Sequence, residues 1–258
     1  VITHTPGIEV EKMTPENAER ALYSDILNLT VAHDEYKQFK GTLEKYATCL
    51  EVKDLLSEVL QNPVQKAEII QQITRMEDEE PLFEFLMQLD AAETARQLIE
   101  GVEIERNTLT RYLSNERYSL HPLHNFFFTR DASVSIHNRA SISKMASKVR
   151  MRETLIMKAL FDHHPKVKAP TFSIGSDLST PKASHFSLEG GDVLVVRHDI
   201  LLVGLSARTT ALGIDSLINQ LASNNKGIYH IIIQELPKTP ESFIHLDMVF
   251  TLLDVDRC

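Results

Sequence analysis

The sequence has 258 residues, 43% of them hydrophobic and 24% charged, with a formal net charge of −9. That excess of acid argues against nucleic acid as the main partner and leaves room for a small cationic ligand. Two cysteines, Cys49 and Cys258, make no disulfide framework, and no apolar run approaches the ~20 residues of a membrane span, so a cytoplasmic protein without a membrane partner is expected.

Val1 to Thr5 reads as a short strand closed by a Pro6-Gly7 turn. Its abrupt start predicts a natural chain that begins slightly earlier, and no basic region followed by an apolar stretch suggests a signal peptide. Thr14-Pro15 has the hydroxyl and proline of a helix start. The next helix is expected to carry Tyr36, Phe39, Leu43 and Tyr46 on one face. Thr48 to Val52 reads as a strand. Its Cys49 reads as a small buried hydrophobe rather than a nucleophile, because no basic neighbour stands ready to lower its pKa.

From Asp54 to about Asn115 apolar residues fall at three- and four-residue spacings. Asp54 is expected to cap a helix with Leu55, Leu56, Val59 and Leu60 inward. Asn62-Pro63 starts another, with Val64, Ala67, Ile70 and Ile73. Pro81 opens a third over Leu82, Phe85, Leu86 and Leu89. A fourth holds Ala91, Ala95, Leu98 and Ile99 and stops at Gly101. The stretch predicts a small helical bundle over 54–115. The acidic run Glu77-Asp78-Glu79-Glu80 reads as a solvated helix junction.

After Tyr118 the period changes. Leu120 to Phe128 is apolar and strand-like. Ser133 to Ile136 and Ala140 to Ile142 predict a hairpin across Asn138-Arg139. Arg150 to Phe161 reads as a helix, ending at Asp162-His163-His164-Pro165; the adjacent histidines fit a helix end better than a metal site. Phe186 to Val196 and Leu201 to Leu205 predict a strand pair around His198-Asp199. Thr210 to Ala222 reads as a helix stopped by Asn224-Asn225-Lys226-Gly227, then Tyr229 to Leu236 and Phe243 to Leu253 as strands. The order suggests a ββαβ unit met more than once, hence an α/β fold.

Polar residues interrupt the apolar runs at a few places: Asn125 and Thr129-Arg130-Asp131 around Phe126-Phe127-Phe128, the turn Glu189-Gly190-Gly191-Asp192, and His245-Leu246-Asp247. The two glycines suit a turn needing φ > 0. On a strand, His245 and Asp247 would share one face. Carboxylates for a cation and a histidine for proton transfer are then expected together. Taken singly, each motif reads equally well as a solvated turn or a surface ion pair.

Five segments, in order, resemble the motif series of bacterial arginine deiminases, of the guanidino-group-modifying superfamily: Asn125 to Asp131, Arg150-Met151-Arg152-Glu153-Thr154, Glu189-Gly190-Gly191-Asp192-Val193, Ser206-Ala207-Arg208-Thr209-Thr210 and His245 to Phe250. His4-Thr5-Pro6-Gly7 is similar to the family's first strand and turn. The resemblance implies a pentein-type fold, a five-bladed α/β propeller of ββαβ units over 1–53 and 116–258, with 54–115 as an inserted helical bundle. The insertion separates arginine deiminases from dimethylarginine hydrolases and amidinotransferases. The implied reaction converts L-arginine to L-citrulline and ammonia through a covalent amidino-cysteine, without cofactor or metal. Asp131 and Asp247 would grip the guanidinium, His245 would act as general acid and then base, and Glu189 would assist proton transfer. Arg150, Arg208 and Asn125 would bind the α-carboxylate, with Phe128 along the substrate stem and Asp192 beside the site. A homo-oligomer is compatible with this resemblance.

The family nucleophile is a cysteine in a glycine-rich segment far downstream of the His-x-Asp motif. The present sequence contains no such segment, and Cys258 stands in no activating context, so a fragment unable to turn over arginine is expected. The alternatives are a catalytically inactive guanidino-binding or assembly module of the same fold and, against the helical insertion, an amidinotransferase.

Overall fold

The computed structural model describes residues 1–14, 18, 22–23, 26–176, 186–224, 230–254 and 257–258. They form two compact units, Val1–Thr129 with His163–Lys168, and Arg130–Asp162 with Ala169–Cys258. The expected helix start at Thr14-Pro15, most of the Asn224 to Gly227 stop and the first residue of the Tyr229 strand lie outside the described residues.

In the first unit, β1 (Ile2–Thr3) runs parallel to β2 (Leu50–Glu51). Glu51 locks the pair: its carboxylate accepts from the Thr5 amide at 3.0 Å, from Thr3 Oγ1 at 3.1 Å and from Lys40 Nζ at 2.5 Å. The short helix α1 (Ile8–Glu11) lies between them in the chain. Helix α2 (Leu29–Leu43) starts on an Asn28 cap. It ends before Tyr46, and Phe39 and Tyr46 are exposed, so the expected apolar face is not a buried one. Tyr36 instead spends its hydroxyl, which accepts from the His4 amide at 3.1 Å.

Four helices follow, as their spacing predicts: α3 (Val52–Leu60), α4 (Pro63–Met76), α5 (Leu82–Gln88) and α6 (Ala91–Glu100). Leu55, Leu56, Val59 and Leu60 of α3 are buried, as are Ile70 and Ile73 of α4, Leu86 of α5, and Ala95, Leu98 and Ile99 of α6. Asn62 caps α4 by accepting from the Val64 and Gln65 amides. Two expectations fail at helix starts. Glu51, not Asp54, occupies the N-cap of α3, because the helix begins at Val52; and Val64, in the first turn of α4, is exposed. Phe85 is exposed as well. Gly101 ends α6 at φ +85°, where a Cβ would stand 2.5 Å from the Leu120 carbonyl oxygen. The chain then forms β3 (Val102–Glu103), α7 (Leu109–Leu113) and β4 (Tyr118–Leu120), with β3 and β4 antiparallel. Beyond Leu120 the Phe126-Phe127-Phe128 run is turn rather than strand. Its aromatic rings pack, Phe126 against His4 and Phe127 against Phe128, instead of pairing backbone.

The second unit begins in the helical turn α8 (Thr129–Ala132) and contains two ββαβ units. In the first, β5 (Ser133–Ile136) and β6 (Arg139–Ile142) make the expected hairpin, turning at His137, whose φ is +56°. Helix α9 (Met151–His163) then leads to β7 (Thr171–Ser173), parallel to β6. In the second, β8 (Val193–Arg197) and β9 (Ile200–Leu205) are antiparallel, α10 (Ala211–Asn224) crosses, and β10 (His230–Glu235) lies parallel to β9. Both hairpins, both helices and β10 agree with the order read from sequence, but β7 was not among the expected strands, and the strand expected from Phe186 begins only at Val193.

The second sheet is apolar on both faces. Val193, Leu201 and Val203 pack with Ile214, Leu217 and Leu221 of α10. The intervening Leu194 and Leu202 pack with Leu236, Leu246 and Phe250. In β9 and the start of β8 that two-sided burial explains runs without polar alternation, whereas Val195, Val196, Ile232 and Ile233 are exposed. The same burial also overturns the last expected strand. Phe243 to Leu253 forms two 3-10 turns, Glu241–Phe243 and Leu246–Met248, because Leu246 is drawn into the sheet face and its amide donates to Asp192 Oδ1 at 2.9 Å. Burying Leu246 contributes about 1.5–3 kcal/mol to holding this segment down.

Candidate active site

The second unit gathers Asp131, Arg150, Glu189 and His245. Each arrives from a different element: α8, the turn before α9, the Gly190–Asp192 turn, and the residue before the Leu246–Met248 turn. All four are buried. His245 Nε2 lies 2.9 Å from Glu189 Oε2, and its Nδ1 lies 3.6 Å from Asp131 Oδ1. Arg150 Nη1 donates to Asp131 Oδ2 at 2.7 Å and stands 4.0 Å from Glu189 Oε2. The other oxygen of Glu189 accepts from the Ala146 amide at 2.9 Å, and its own amide donates to Thr209 Oγ1.

The glycines serve a different purpose from the one expected. Among the described residues, glycines with positive φ are Gly101 and Gly175, not Gly190 or Gly191. Gly190-Gly191-Asp192 is a 3-10 turn, and what it needs is space. A Cβ on Gly190 would lie 2.0 Å from the Arg130 carbonyl oxygen. One on Gly191 would lie 2.8 Å from His245 Nδ1 and 3.0 Å from Asp131 Oδ1.

Asp192 is fully buried and engaged on both oxygens, by the Leu246 amide and by Ser206 Oγ at 2.6 Å. Ser206 Oγ in turn accepts from the Arg208 and Thr209 amides. Asp192 thus ties three segments together. Asp247 is partly buried, with Oδ2 3.3 Å from Arg130 Nε. It does not share a strand face with His245, since the segment is a 3-10 turn. Arg208 is half-buried. Asn125 and Phe128 belong to the first unit, where Asn125 is buried and accepts from the Phe128 amide, and Phe128 is exposed. Glu153 and Arg130 are absent from the residues expected by sequence. The i, i+3 spacing of Arg150 and Glu153 on a helix could have disclosed the first.

Burial would lower the pKa of His245, but the Glu189 hydrogen bond and the charges of Asp131, Glu189 and Asp192 outweigh it and raise the imidazole above its ordinary 6.5. Burial works to raise Glu189, yet the His245 bond, the Arg150 charge and the Ala146 N–H bring it below its ordinary 4.5. Burial prevails at Asp192 and Asp247, both raised. Arg150 is held charged: burial opposes its charge, and Glu153, Asp131 and Glu189 overcome that.

A pH prediction follows from this pair. His245, raised on folding, contributes stability below its ordinary pKa and loses it as pH climbs through the raised value. Glu189, lowered on folding, contributes above its ordinary pKa and loses it as pH falls through the depressed value. The stability difference between wild type and His245→Gln is therefore expected to peak between pH 4.5 and 6.5. It should shrink on both sides, as read by urea unfolding across pH; a flat difference would contradict the pairing.

Asp131, Glu189 and His245 each offer an atom within 4.8 Å of the others, a spacing open to a cation. Arg150 already supplies positive charge there, 2.7 Å from Asp131, and would compete with a metal ion. Chemically, the cluster can hold a proton on His245 against Glu189 and offer carboxylate oxygens to a cationic group.

Fold and cluster together define a mixed α/β protein of ββαβ units with a buried carboxylate, arginine and histidine site. A family profile described as arginine deiminase matches residues 19–258. Arginine deiminases of Staphylococcus aureus strains JH9 and Newman are each 31% identical over 271 residues, covering 100% of this chain and 65% of theirs. The chain belongs to the arginine deiminase family, and spans 65% of the length of these relatives.

Among solved structures, a Pseudomonas aeruginosa dimethylarginine dimethylaminohydrolase complexed with citrulline is 21% identical over 58% of this chain and 60% of its own, with a TM-score of 0.36. An amidinotransferase from Microseira wollei, of a saxitoxin biosynthetic pathway, is 20% identical over 42% and 34%, with a TM-score of 0.31. Likenesses this partial carry no argument about the site. Among the described residues no helix is long and apolar enough to cross a membrane.

Proposed function

We propose that this chain carries the guanidinium-gripping and proton-handling part of an arginine deiminase. The reaction adds water to L-arginine and releases L-citrulline and ammonia. A thiolate adds to the guanidinium carbon; the bond from that carbon to a terminal nitrogen breaks as His245 donates a proton, and ammonia leaves. Water then attacks the amidino-thioether, giving a proton to His245, and the carbon–sulfur bond breaks to free citrulline and the thiol.

The observation that carries this reading is the convergence of Asp131, Glu189 and His245 within 4.8 Å in a chain of this family. A guanidinium is a delocalised, poor electrophile and needs paired carboxylates to orient it. Asp131 and Asp247 are assigned that task. Each gives one oxygen to a resident arginine: Asp131 Oδ2 to Arg150, and Asp247 Oδ2 to Arg130. The other oxygen of each is assigned to the substrate. Glu189, ionised and hydrogen-bonded to His245, keeps that imidazole charged for the first proton transfer.

Arg208 and Asn125 are assigned to the α-carboxylate and Phe128 to the substrate stem. Arg150 was expected to join Arg208, but its guanidinium is engaged by carboxylates, so its part is compensation of the acidic cluster. Asp192 is assigned to positioning the His245 segment. The whole-chain organisation proposed is a five-bladed propeller over 1–53 and 116–258, with 54–115 inserted. The two described ββαβ units support it.

Neither cysteine is assigned as the nucleophile. Cys258 is exposed, and Cys49 Sγ faces the Ala47 carbonyl at 4.0 Å. Calorimetry on the 258-residue chain is expected to record L-arginine binding that Asp131→Ala abolishes, with no citrulline formed. Absence of binding would refute the surviving half-site, and citrulline lost on Cys258→Ala would refute the assignment of the thiol.

A further inference from the structure

Glu153 holds no role in the reaction proposed above, yet it is 1% exposed and touches the cluster directly. It sits in the first turn of α9, at i+3 from Arg150. It takes the guanidinium by one edge: Arg150 Nε lies 3.1 and 3.2 Å from its two oxygens, and Nη2 lies 2.8 Å from Oε2. The remaining nitrogen, Nη1, is the one that reaches Asp131 Oδ2.

We propose that Glu153 is a positioning residue of this site. By holding the Nε–Nη2 edge of Arg150, it confines Arg150 to the Oδ2 side of Asp131 and leaves Oδ1 turned toward His245. An arginine fork free of that grip would close on Asp131 with two parallel N–H bonds, the strongest arrangement open to it. Both oxygens of Asp131 would then be occupied by a resident guanidinium. The inference rests on the function proposed above for its meaning, but the geometry of Arg150 tests it independently.

Charge points the same way. Three buried acids share Arg150, at 2.7 Å from Asp131, 2.8 Å from Glu153 and 4.0 Å from Glu189. Glu153→Gln would remove one claim on the guanidinium and leave Asp131 a larger share of it. His245 also faces Asp192 from the glycine turn and Asp247 from its own segment, and Arg130 of α8 offsets Asp247. None of these contacts passes through Glu153, whose carboxylate is hydrogen-bonded to Arg150.

The experiment uses the 258-residue chain with Glu153→Gln and Glu153→Asp. The imidazole of His245 is titrated by NMR, L-arginine binding is measured by calorimetry, and thermal unfolding is followed alongside. Glu153→Gln is expected to lower the His245 midpoint by about one pH unit, as Arg150 closes on Asp131 and weakens its pull on the imidazole. Arginine binding should weaken roughly tenfold. Glu153→Asp keeps the charge and should restore most of the midpoint. An unmoved midpoint in Glu153→Gln, or equal midpoints in the two variants, overturns the proposal even if both unfold at lower temperature. Should Glu153→Gln not fold, Arg150→Lys removes the fork that could close on Asp131, so the His245 midpoint must not fall; a fall there overturns the proposal. If wild type binds no arginine, the proposed function falls, while the His245 titration still decides the role of Glu153.

Discussion

Arg150→Met is expected to cost about 3–5 kcal/mol of stability at about pH 8 and far less at about pH 5. Methionine keeps most of the buried stem of the arginine, so the loss is electrostatic and not a cavity. In wild type, one guanidinium lies 2.7 Å from Asp131, 2.8 Å from Glu153 and 4.0 Å from Glu189. All three acids are buried. Without Arg150 they face one another in a medium that screens poorly, and the raising effect of burial on Glu153 and Glu189 loses its main opposing charge. Glu153 is raised by burial even with Arg150 beside it.

The sign follows from where those protons bind. In the variant folded Glu153 and Glu189 hold protons that the unfolded chain gives up above the ordinary glutamate value of 4.5. Stability therefore falls as pH rises through that range. Wild type avoids part of this fall, because Arg150 opposes the effect of burial on both. Urea unfolding of both proteins at the two pH values measures the difference. An equal loss at both would mean that Arg150 acts by packing alone. Arg150→Lys, with charge but no planar fork, should fall between the two.

How much of this could be read beforehand differs by region. The helices over 54–115 were legible because each buries one stripe, and the stripe repeats at helical spacing in Leu55, Leu56, Val59 and Leu60. Where the reading failed there, at Val64 and Phe85, the residue fits the pattern but is left exposed among the described residues. The two hairpins and α10 were legible because their turns and period are local, while the three-residue β7 was not. The segment from Phe243 to Leu253 was not. Its apolar residues look like a strand, but Asp192, far back in the chain, takes the Leu246 amide, and Leu194 and Leu236 take its side chain. No local pattern encodes such a partner. His245 and Asp247 were expected on one strand face, but Asp247 lies in a 3-10 turn that His245 only caps. Glu153 was passed over although the i, i+3 pair with Arg150 was in plain view.

Gly190→Ala is the other substitution with a large expected effect, and its neighbour separates folding from site geometry. A Cβ on Gly190 would meet the Arg130 carbonyl oxygen at 2.0 Å and that of Ser133 at 3.2 Å. Both are backbone atoms, of α8 and of the first residue of β5, and neither can swing aside. The turn and α8 must separate, which also strains the Arg130 Nε bond to the Gly190 carbonyl and the Arg130 Nη2 bond to the Val193 carbonyl. Overpacking of this kind costs about 3 kcal/mol. On Gly191 the added methyl meets side chains, His245 Nδ1 and Asp131 Oδ1, which can yield. Gly191→Ala should cost only about 1 kcal/mol in stability while displacing His245 and abolishing arginine binding. Gly41, in the interior of α2 with nothing within 4 Å of its Cβ position, is the control. Alanine there should stabilise by about 0.5–1 kcal/mol. Denaturant unfolding and calorimetry on the three variants read these effects apart. If Gly190→Ala were as stable as wild type, α8 and the glycine turn would not be in the close contact that brings Asp131 to His245.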